Sequence, residues 1–318
     1  MMGHAKKRVQ PTITSSVNRN LDELFTETLT KIVAKLPEPW QVDPRGEPHS
    51  PRVVLMCLVL KIFWVSTYEG AEAELKSRRE WLSKLWQVNR LPTHSVIHAG
   101  MGKVSTKYLR RILRRTFGRV CKKLKAGADS SGFSTRNSSV WFDIRIGRKN
   151  RRRDCIKVHI VMDIDRGYVL DFHVSGYKMN DCPVLKKLLR DIKFLKKLVA
   201  DAGYLSRKNC VLVGERNGKP YIWVKKNSTK KPKGAVEWKV MVRCFQKHRG
   251  AFKKAYHCRS LVESVFSSIK RRWGSTLRSV KGWAQRKELT IKVLCYNIKE
   301  YLYNWWAGKL EISRWKTC

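Results

Sequence analysis

Leu21, Leu24, Phe25, Leu29, Ile32 and Val33 recur at three- and four-residue steps, which predicts a helix with one apolar face. Asn20 stands at its N-cap position, with Glu23 three residues on as in a capping box, and Pro37 and Pro39 stop it. A second helix is predicted after Ser50-Pro51. Its apolar run, residues 53–65, contains Lys61 and is too short to span a bilayer, so it reads as a buried helix. A third helix is predicted around residues 68–86, carrying Trp81, Leu82, Leu85 and Trp86. Leu91-Pro92-Thr93-His94-Ser95 is a turn. Beyond it residues 104–124 form a strongly basic helix with Lys107, Arg110, Arg111, Arg114, Arg115, Arg119, Lys122 and Lys123. A short helix, a Pro-containing turn and a basic helix suit a helix-turn-helix; the alternative is a helical bundle whose charged face is solvated.

Near residue 125 the period changes. Residues 141–146 alternate as a strand, 156–162 as another, Asp165-Arg166-Gly167 is a turn, and 168–174 is a third strand paired back on the second. A helix over 183–195 follows, with Asp181 as a candidate cap. Then comes a short buried strand, 195–200, ending at Asp201, and one more strand over 221–224. Residues 255–306 are helical again, broken near Gly274 and Gly282, with Trp273, Trp283, Trp305 and Trp306 expected in the core. Three antiparallel strands, a helix and a short apolar strand resemble the opening order of an RNase H-like fold. The expected class is therefore α/β, a mixed sheet flanked by helices, preceded by an all-helical N-terminal domain.

Composition makes the partner class sharper. The chain of 318 residues is 42% hydrophobic and holds twelve Trp, so wholesale disorder is excluded. Its net charge of +43 calls for a polyanion, for which nucleic acid is the better candidate and an acidic membrane surface the weaker one. Six basic residues fall within 145–153 and five within 225–233; these runs are expected to meet DNA backbone, the alternative being solvated loops. The nine Cys show no CxxC spacing and read as reduced thiols of a cytosolic protein. The first twenty residues are polar, so no secretory leader is expected. His94-x3-His98 and Cys244-x3-His248 have metal-ligand spacing without a third ligand and carry little weight. No Gly-rich phosphate loop is present.

In so basic a chain, acids in apolar or Gly-rich settings stand out. Asp129 follows Ala126-Gly127-Ala128 and precedes Ser130-Ser131-Gly132, a small-residue strand end. Asp201 closes Leu198-Val199-Ala200, where open sheets hold ligands. Glu263 lies within a predicted helix. At about 100° per residue Tyr256, Arg259, Glu263 and Lys270 fall in one stripe, beside an apolar stripe of Val262, Val265, Phe266, Ile269 and Trp273. Such a helix packs beside a site and presents Tyr, Arg, Glu and Lys to it.

Tyr256-x2-Arg259-x3-Glu263-x6-Lys270 resembles the signature of the DDE transposases of insertion sequences, in the group named after insertion sequences four and five. Asp129-Ser130-Ser131-Gly132-Phe133 resembles the segment around that family's first Asp, and Ala200-Asp201-Ala202-Gly203-Tyr204 the segment around its second. Lys157-x-His159 also fits the pattern. The resemblance covers roughly residues 124–306. It implies a helical DNA-binding domain over 1–118, an RNase H-like catalytic domain over 119–308 and a tail over 309–318. It implies Asp129, Asp201 and Glu263 as catalytic and metal-holding acids for two Mg²⁺ ions, with Mn²⁺ as an alternative. DNA contacts are expected from Tyr256, Arg259, Lys270, Lys157 and His159, and from Arg151, Arg152 and Arg153 of the basic run. The implied activity is cutting at transposon ends by hydrolysis and joining of the 3′ ends to target DNA by transesterification. The implied partners are double-stranded DNA and a second copy of the chain, in the cytoplasm at the nucleoid and away from membranes. A transposase-derived DNA-binding protein without catalysis, or an RNase H-like nuclease, remain the alternatives.

Overall fold

Pro51 opens helix α2 because a first-turn residue has no use for its N–H, and the run behind it is apolar on every side. In the computed structural model, α2 (Pro51–Phe63) is buried along nearly its whole length, Lys61 included. The structure describes residues 18, 20–42, 49–118, 124–135, 145, 147, 155–225, 228 and 232–309. They fall into two compact units, one holding the residues up to Gly118 together with those from Ser279 onward, the other those from Leu124 to Arg278.

The first unit is helical. It comprises α1 (Leu21–Ala34), α2, α3 (Tyr68–Ser77), α4 (Arg79–Trp86), α5 (His94–Lys103) and α6 (Thr106–Phe117). The long closing helix of the chain, Gly282–Lys309, also belongs here and packs against α1, α2 and α6. Sequence order alone assigns this helix to the span 119–308. Phe25 of α1 stacks on Phe63 of α2 with ring centroids 3.9 Å apart. Asn20 holds the N-cap position of α1 but makes no side-chain cap bond. The single helix expected over 68–86 is two, broken at Arg78. The turn at Pro92 leads into α5 rather than straight into the basic helix, so the expected helix-turn-helix gains a helix. Glu72 of α3 explains part of this: its carboxylate accepts from the His94 backbone N–H at 2.7 Å, at the start of α5. α6 buries Tyr108, Leu109, Ile112 and Leu113 and leaves Lys107, Arg111, Arg114 and Arg115 exposed. Trp283 and Trp305 are 45% and 43% exposed rather than in the core, each under a lysine ammonium, Lys287 and Lys309.

The second unit holds a five-stranded sheet in the order β3-β2-β1-β4-β5. Its strands are β1 (Lys125–Ser134), β2 (Cys155–Asp163), β3 (Val169–Gly176), β4 (Lys197–Ala200) and β5 (Lys219–Ile222). β1, β2 and β3 pair antiparallel, while β4 and β5 run parallel to β1. This mixed sheet with flanking helices is the RNase H-like arrangement. The helices are α7 (Val184–Leu188), α8 (Arg207–Gly214), α9 (Val236–Lys247), α10 (Arg249–Tyr256) and α11 (Ser260–Trp273); Gly282–Lys309 of the first unit is α12. The first antiparallel strand among the described residues is β1; the run 141–146, expected as a strand, lies outside the described residues except Arg145. β1 consists of Ala, Gly, Ser and one Phe besides its charged residues, and all but the Phe are weak strand formers. Pairing with β2 along the strand, and with β4 as well over Lys125–Ala128, is what holds them extended. The helix expected over 183–195 is the single-turn α7. The seven described cysteines are free thiols, four of them buried. Among the described residues no single helix is long and apolar enough to cross a membrane.

Candidate active site

The last parallel pair between β1 and β4 is Ala128↔Ala200. Asp129 and Asp201 are the next residue on each strand, so adjacent strands deliver two carboxylates at the same level. Asp129 is a strand end only towards β4. Towards β2 it lies mid-strand, opposite Ile160, and β1 runs on to Ser134. Asp201 leaves β4 in extended conformation and leads into a 3₁₀ turn, Ala202–Tyr204. The Asp129 carboxylate accepts from the Ser130 backbone N–H at 2.8 Å.

Gly127 brings the third acid. It shares the sheet face of Asp129, two residues away, and a Cβ at this position would stand 2.5 Å from Val262 Cγ2. Only a residue without a side chain lets α11 seat so close to the sheet. Val262 is fully buried there, and its neighbour Glu263 projects at the rim, 55% exposed. Cys258, Ile164 and Val199 pack together beneath the same contact.

The three acids meet at Arg259. Its Nη2 lies 3.7 Å from Asp129 Oδ2 and 3.9 Å from Asp201 Oδ1, and its Nη1 donates to Glu263 Oε1. Arg259 Nε is buried with no hydrogen-bond partner. Burial pushes the Asp129 carboxyl above its ordinary value, and Asp201 and Glu263 push the same way; the Ser130 N–H and Arg259 oppose them. Burial works against the Arg259 charge, but Tyr256 and the three acids outweigh it and raise its pKa. Burial lifts the Tyr256 phenol to about 12. Its ring belongs to an aromatic cluster, 5.1 Å from Trp223 and 6.0 Å from Phe252 between centroids.

The expected single-helix stripe is therefore spread over three elements. Tyr256 ends α10, Arg259 lies in a 3₁₀ turn (His257–Arg259), and Glu263 and Lys270 lie on α11. Backbone angles stay near helical through the junction, so the angular spacing survives. Lys270 stands away from the acids with its ammonium 5.2 Å from the Phe133 ring centroid.

No three His, Cys, Asp or Glu side chains among the described residues are gathered closely enough to hold a metal ion as they stand, because a guanidinium is interposed. The donor set is nonetheless all carboxylate oxygen, the chemistry that Mg²⁺ prefers. Arg259, with one positive charge, offsets part of the repulsion among the three acids. The residues thus fit a divalent ion that would replace the charge of Arg259.

Other expectations change. His159 is fully buried and cannot reach a DNA backbone. Burial lowers its pKa to about 4, against the pull of Asp181. Lys157 Nζ donates to Asp181 Oδ1 at 2.6 Å instead of standing free for phosphate. Asp181 spends its carboxylate there rather than capping a helix. Trp273, by contrast, is in the core as expected, at 2% exposed. His94 pairs with Glu72, and His98 meets the edge of Tyr68. Arg151, Arg152 and Arg153 lie outside the described residues. Sequence reasoning missed Gly127 as the position that lets α11 approach the sheet. A Gly two residues before an acid was the one visible signal.

The family whose description is "Transposase DDE domain" matches residues 126–298. No curated protein matches the chain. Among solved structures, the cryo-EM structure of the piggyBac transposase synaptic complex with hairpin DNA is similar, with a TM-score of 0.47 and 10% identity over 93% of this chain and 75% of that one.

Proposed function

The chain belongs to the transposase DDE domain family, and on that footing we propose that it cuts DNA at transposon ends and joins the 3′ ends to target DNA. The observation that carries this reading is the meeting of Asp129, Asp201 and Glu263, from two adjacent strands and a facing helix, around one guanidinium. Asp129, Asp201 and Glu263 would hold two Mg²⁺ ions, or Mn²⁺. A divalent ion held there would supply Lewis-acid activation of a water or 3′-hydroxyl and charge stabilisation at the leaving oxygen. Arg259, whose charge among the acids is then redundant, is the cation best placed to meet the phosphate at the cleavage point. Tyr256 borders the same space, and Lys270 adds positive charge further along α11. The spacing Tyr256-x2-Arg259-x3-Glu263-x6-Lys270 supports membership of the insertion-sequence four and five group.

The chemistry is assigned to the unit from Leu124 to Arg278. The helices up to Gly118 are assigned to DNA binding, with the exposed basic face of α6 as the phosphate-contacting surface. Two transposon ends must be held together, which favours a homodimer on DNA, working at the nucleoid.

The test is Glu263→Gln. It removes one acidic charge and leaves the basic surface intact. Strand cleavage with Mg²⁺ is expected to fall about a hundredfold or more, beyond the loss typical of residues that only support a ligand. Binding of an end-containing duplex in a gel shift is expected to change less than about twofold. Cleavage retained at more than about a tenth of wild type removes Glu263 from the site.

A further inference from the structure

Behind the acids lies a second polar group that the proposed chemistry does not use. His159 on β2 pairs with Ser130 on β1, so both side chains take the face opposite to that of Asp129. His159 Nε2 is 2.9 Å from Ser175 Oγ on β3, and its Nδ1 is 3.4 Å from Asp181 Oδ1. The same Asp181 oxygen accepts from Lys157 Nζ. Tyr204, fully buried, brings its hydroxyl to 3.5 Å from His159 Nδ1.

This group touches the turn that follows Asp201. A Cβ on Gly203 would stand 2.9 Å from Asp181 Oδ2 and 3.5 Å from Asp181 Cβ, so the Asp181 side chain lies directly against the backbone two residues beyond Asp201. Asn209 ties the same two segments by another route. Its Nδ2 donates to Cys182 O at 2.9 Å and to Tyr204 O at 2.7 Å. The Lys157–Asp181 pair is mostly buried, at 22% and 19% exposed. Taking both charges out of water offsets much of their attraction, so stability alone is a poor reason for the pair. What it supplies is a fixed direction for one carboxylate.

We propose that Asp181 is a positioning residue: held by Lys157 and His159 of β2, it presses on Gly203 and fixes the turn that aims Asp201 at Asp129. This rests on the reading of Asp129, Asp201 and Glu263 as metal-holding acids. Displacement of a reacting group by an ångström costs rate heavily, and supports of a ligand set its affinity for metal.

The experiment compares wild type with Asp181→Ala in full-length protein. It measures Mn²⁺ binding without DNA by calorimetry, end binding by gel shift, cleavage, and thermal unfolding. Asp181→Ala is expected to unfold cooperatively and to bind an end duplex within about twofold of wild type, while Mn²⁺ affinity and cleavage each fall about tenfold or more. Asp181→Asn still fills the space against Gly203 and still accepts from Lys157, and is expected to recover part of both. Unchanged Mn²⁺ affinity in folded Asp181→Ala overturns the proposal. So does a loss of end binding at unchanged Mn²⁺ affinity, which would make the Lys157–Asp181 pair a DNA contact. If Asp181→Ala loses its cooperative transition, Gly203→Ala takes its place with the same expected and overturning results, since the added methyl meets the Asp181 carboxylate. A wild type that neither binds Mn²⁺ nor cleaves removes the acid-site reading and this proposal together. A wild type that does both beside an unchanged variant removes this proposal alone.

Discussion

The guanidinium of Arg259 lies 3.7 Å from the carboxylate of Asp129, and it reaches Asp201 and Glu263 with the same two nitrogens. An arginine that the family resemblance assigns to DNA is engaged by the acids in the metal-free chain. Three carboxylates this close repel one another, and burial already disfavours the ionised form of Asp129. Arg259 offsets part of the negative charge that a divalent ion would neutralise.

Arg259→Ala is therefore expected to destabilise the metal-free protein by about 1–2 kcal/mol, the cluster being partly solvated. Added Mg²⁺ should raise the thermal midpoint of the variant more than that of wild type, because the ion then relieves a repulsion that Arg259 partly offsets in wild type. Equal Mg²⁺ responses in scanning calorimetry would leave the acids uncoupled from Arg259.

Gly127→Ala puts a methyl 2.5 Å from Val262 Cγ2, so α11 must move away from the sheet. Overpacking of this kind costs about 1–3 kcal/mol. Cleavage should fall with it, because Glu263 is carried on the shifted helix. Val262→Ala in the same chain makes room and should restore part of the cleavage. A double variant no better than Gly127→Ala would show that the contact does not set the position of Glu263.

His159 is buried neutral, with a folded pKa of about 4 against an ordinary 6.5. Between these values the unfolded chain binds the proton and the folded one does not, so the unfolded state gains as pH falls. Stability from this group is complete above about pH 6.5 and is lost towards pH 4. His159→Gln should flatten the slope of unfolding free energy against pH in that window, measured by urea titration. An unaltered slope would place the acid sensitivity elsewhere.

The run Arg151, Arg152 and Arg153 lies outside the described residues, and its role follows from charge alone. Replacing all three with Ala should weaken binding to every DNA sequence alike. The slope of log K against log salt should fall by about three units in all, roughly 0.9 for each phosphate no longer neutralised. A changed preference among sequences at constant salt slope would mean that these arginines read bases.

The helical N-terminal region, the α/β class and the short strand ending at Asp201 were legible because each rests on local periodicity. Apolar residues at helical steps predict α1, and Leu198-Val199-Ala200 reads as a buried strand in any context. The angular stripe from Tyr256 to Lys270 was legible for the same reason, even though the chain crosses from α10 through a 3₁₀ turn into α11. The first strand was not. β1 has little apolar alternation, and Asp129 interrupts it. Its extended form comes from pairing on both sides, with β2 and with β4, which no window of the sequence contains.

The residue types and their spacing along the chain therefore singled out Asp129, Asp201 and Glu263 as the candidate acids, since carboxylates in small-residue and apolar settings are costly unless used. Which groups those side chains meet was decided by long-range packing alone. Gly127 sets the approach of α11, the strand register sets Asp129 beside Asp201, and the loop after β3 turns Asp181 onto Lys157 and against Gly203. Lys157 and His159 show the difference. Their i,i+2 spacing places both on one face of β2, but only the folded sheet buries His159 and brings the Lys157 ammonium onto Asp181. Burial and charge pairing depend on neighbours distant in sequence, and a local pattern holds no record of them.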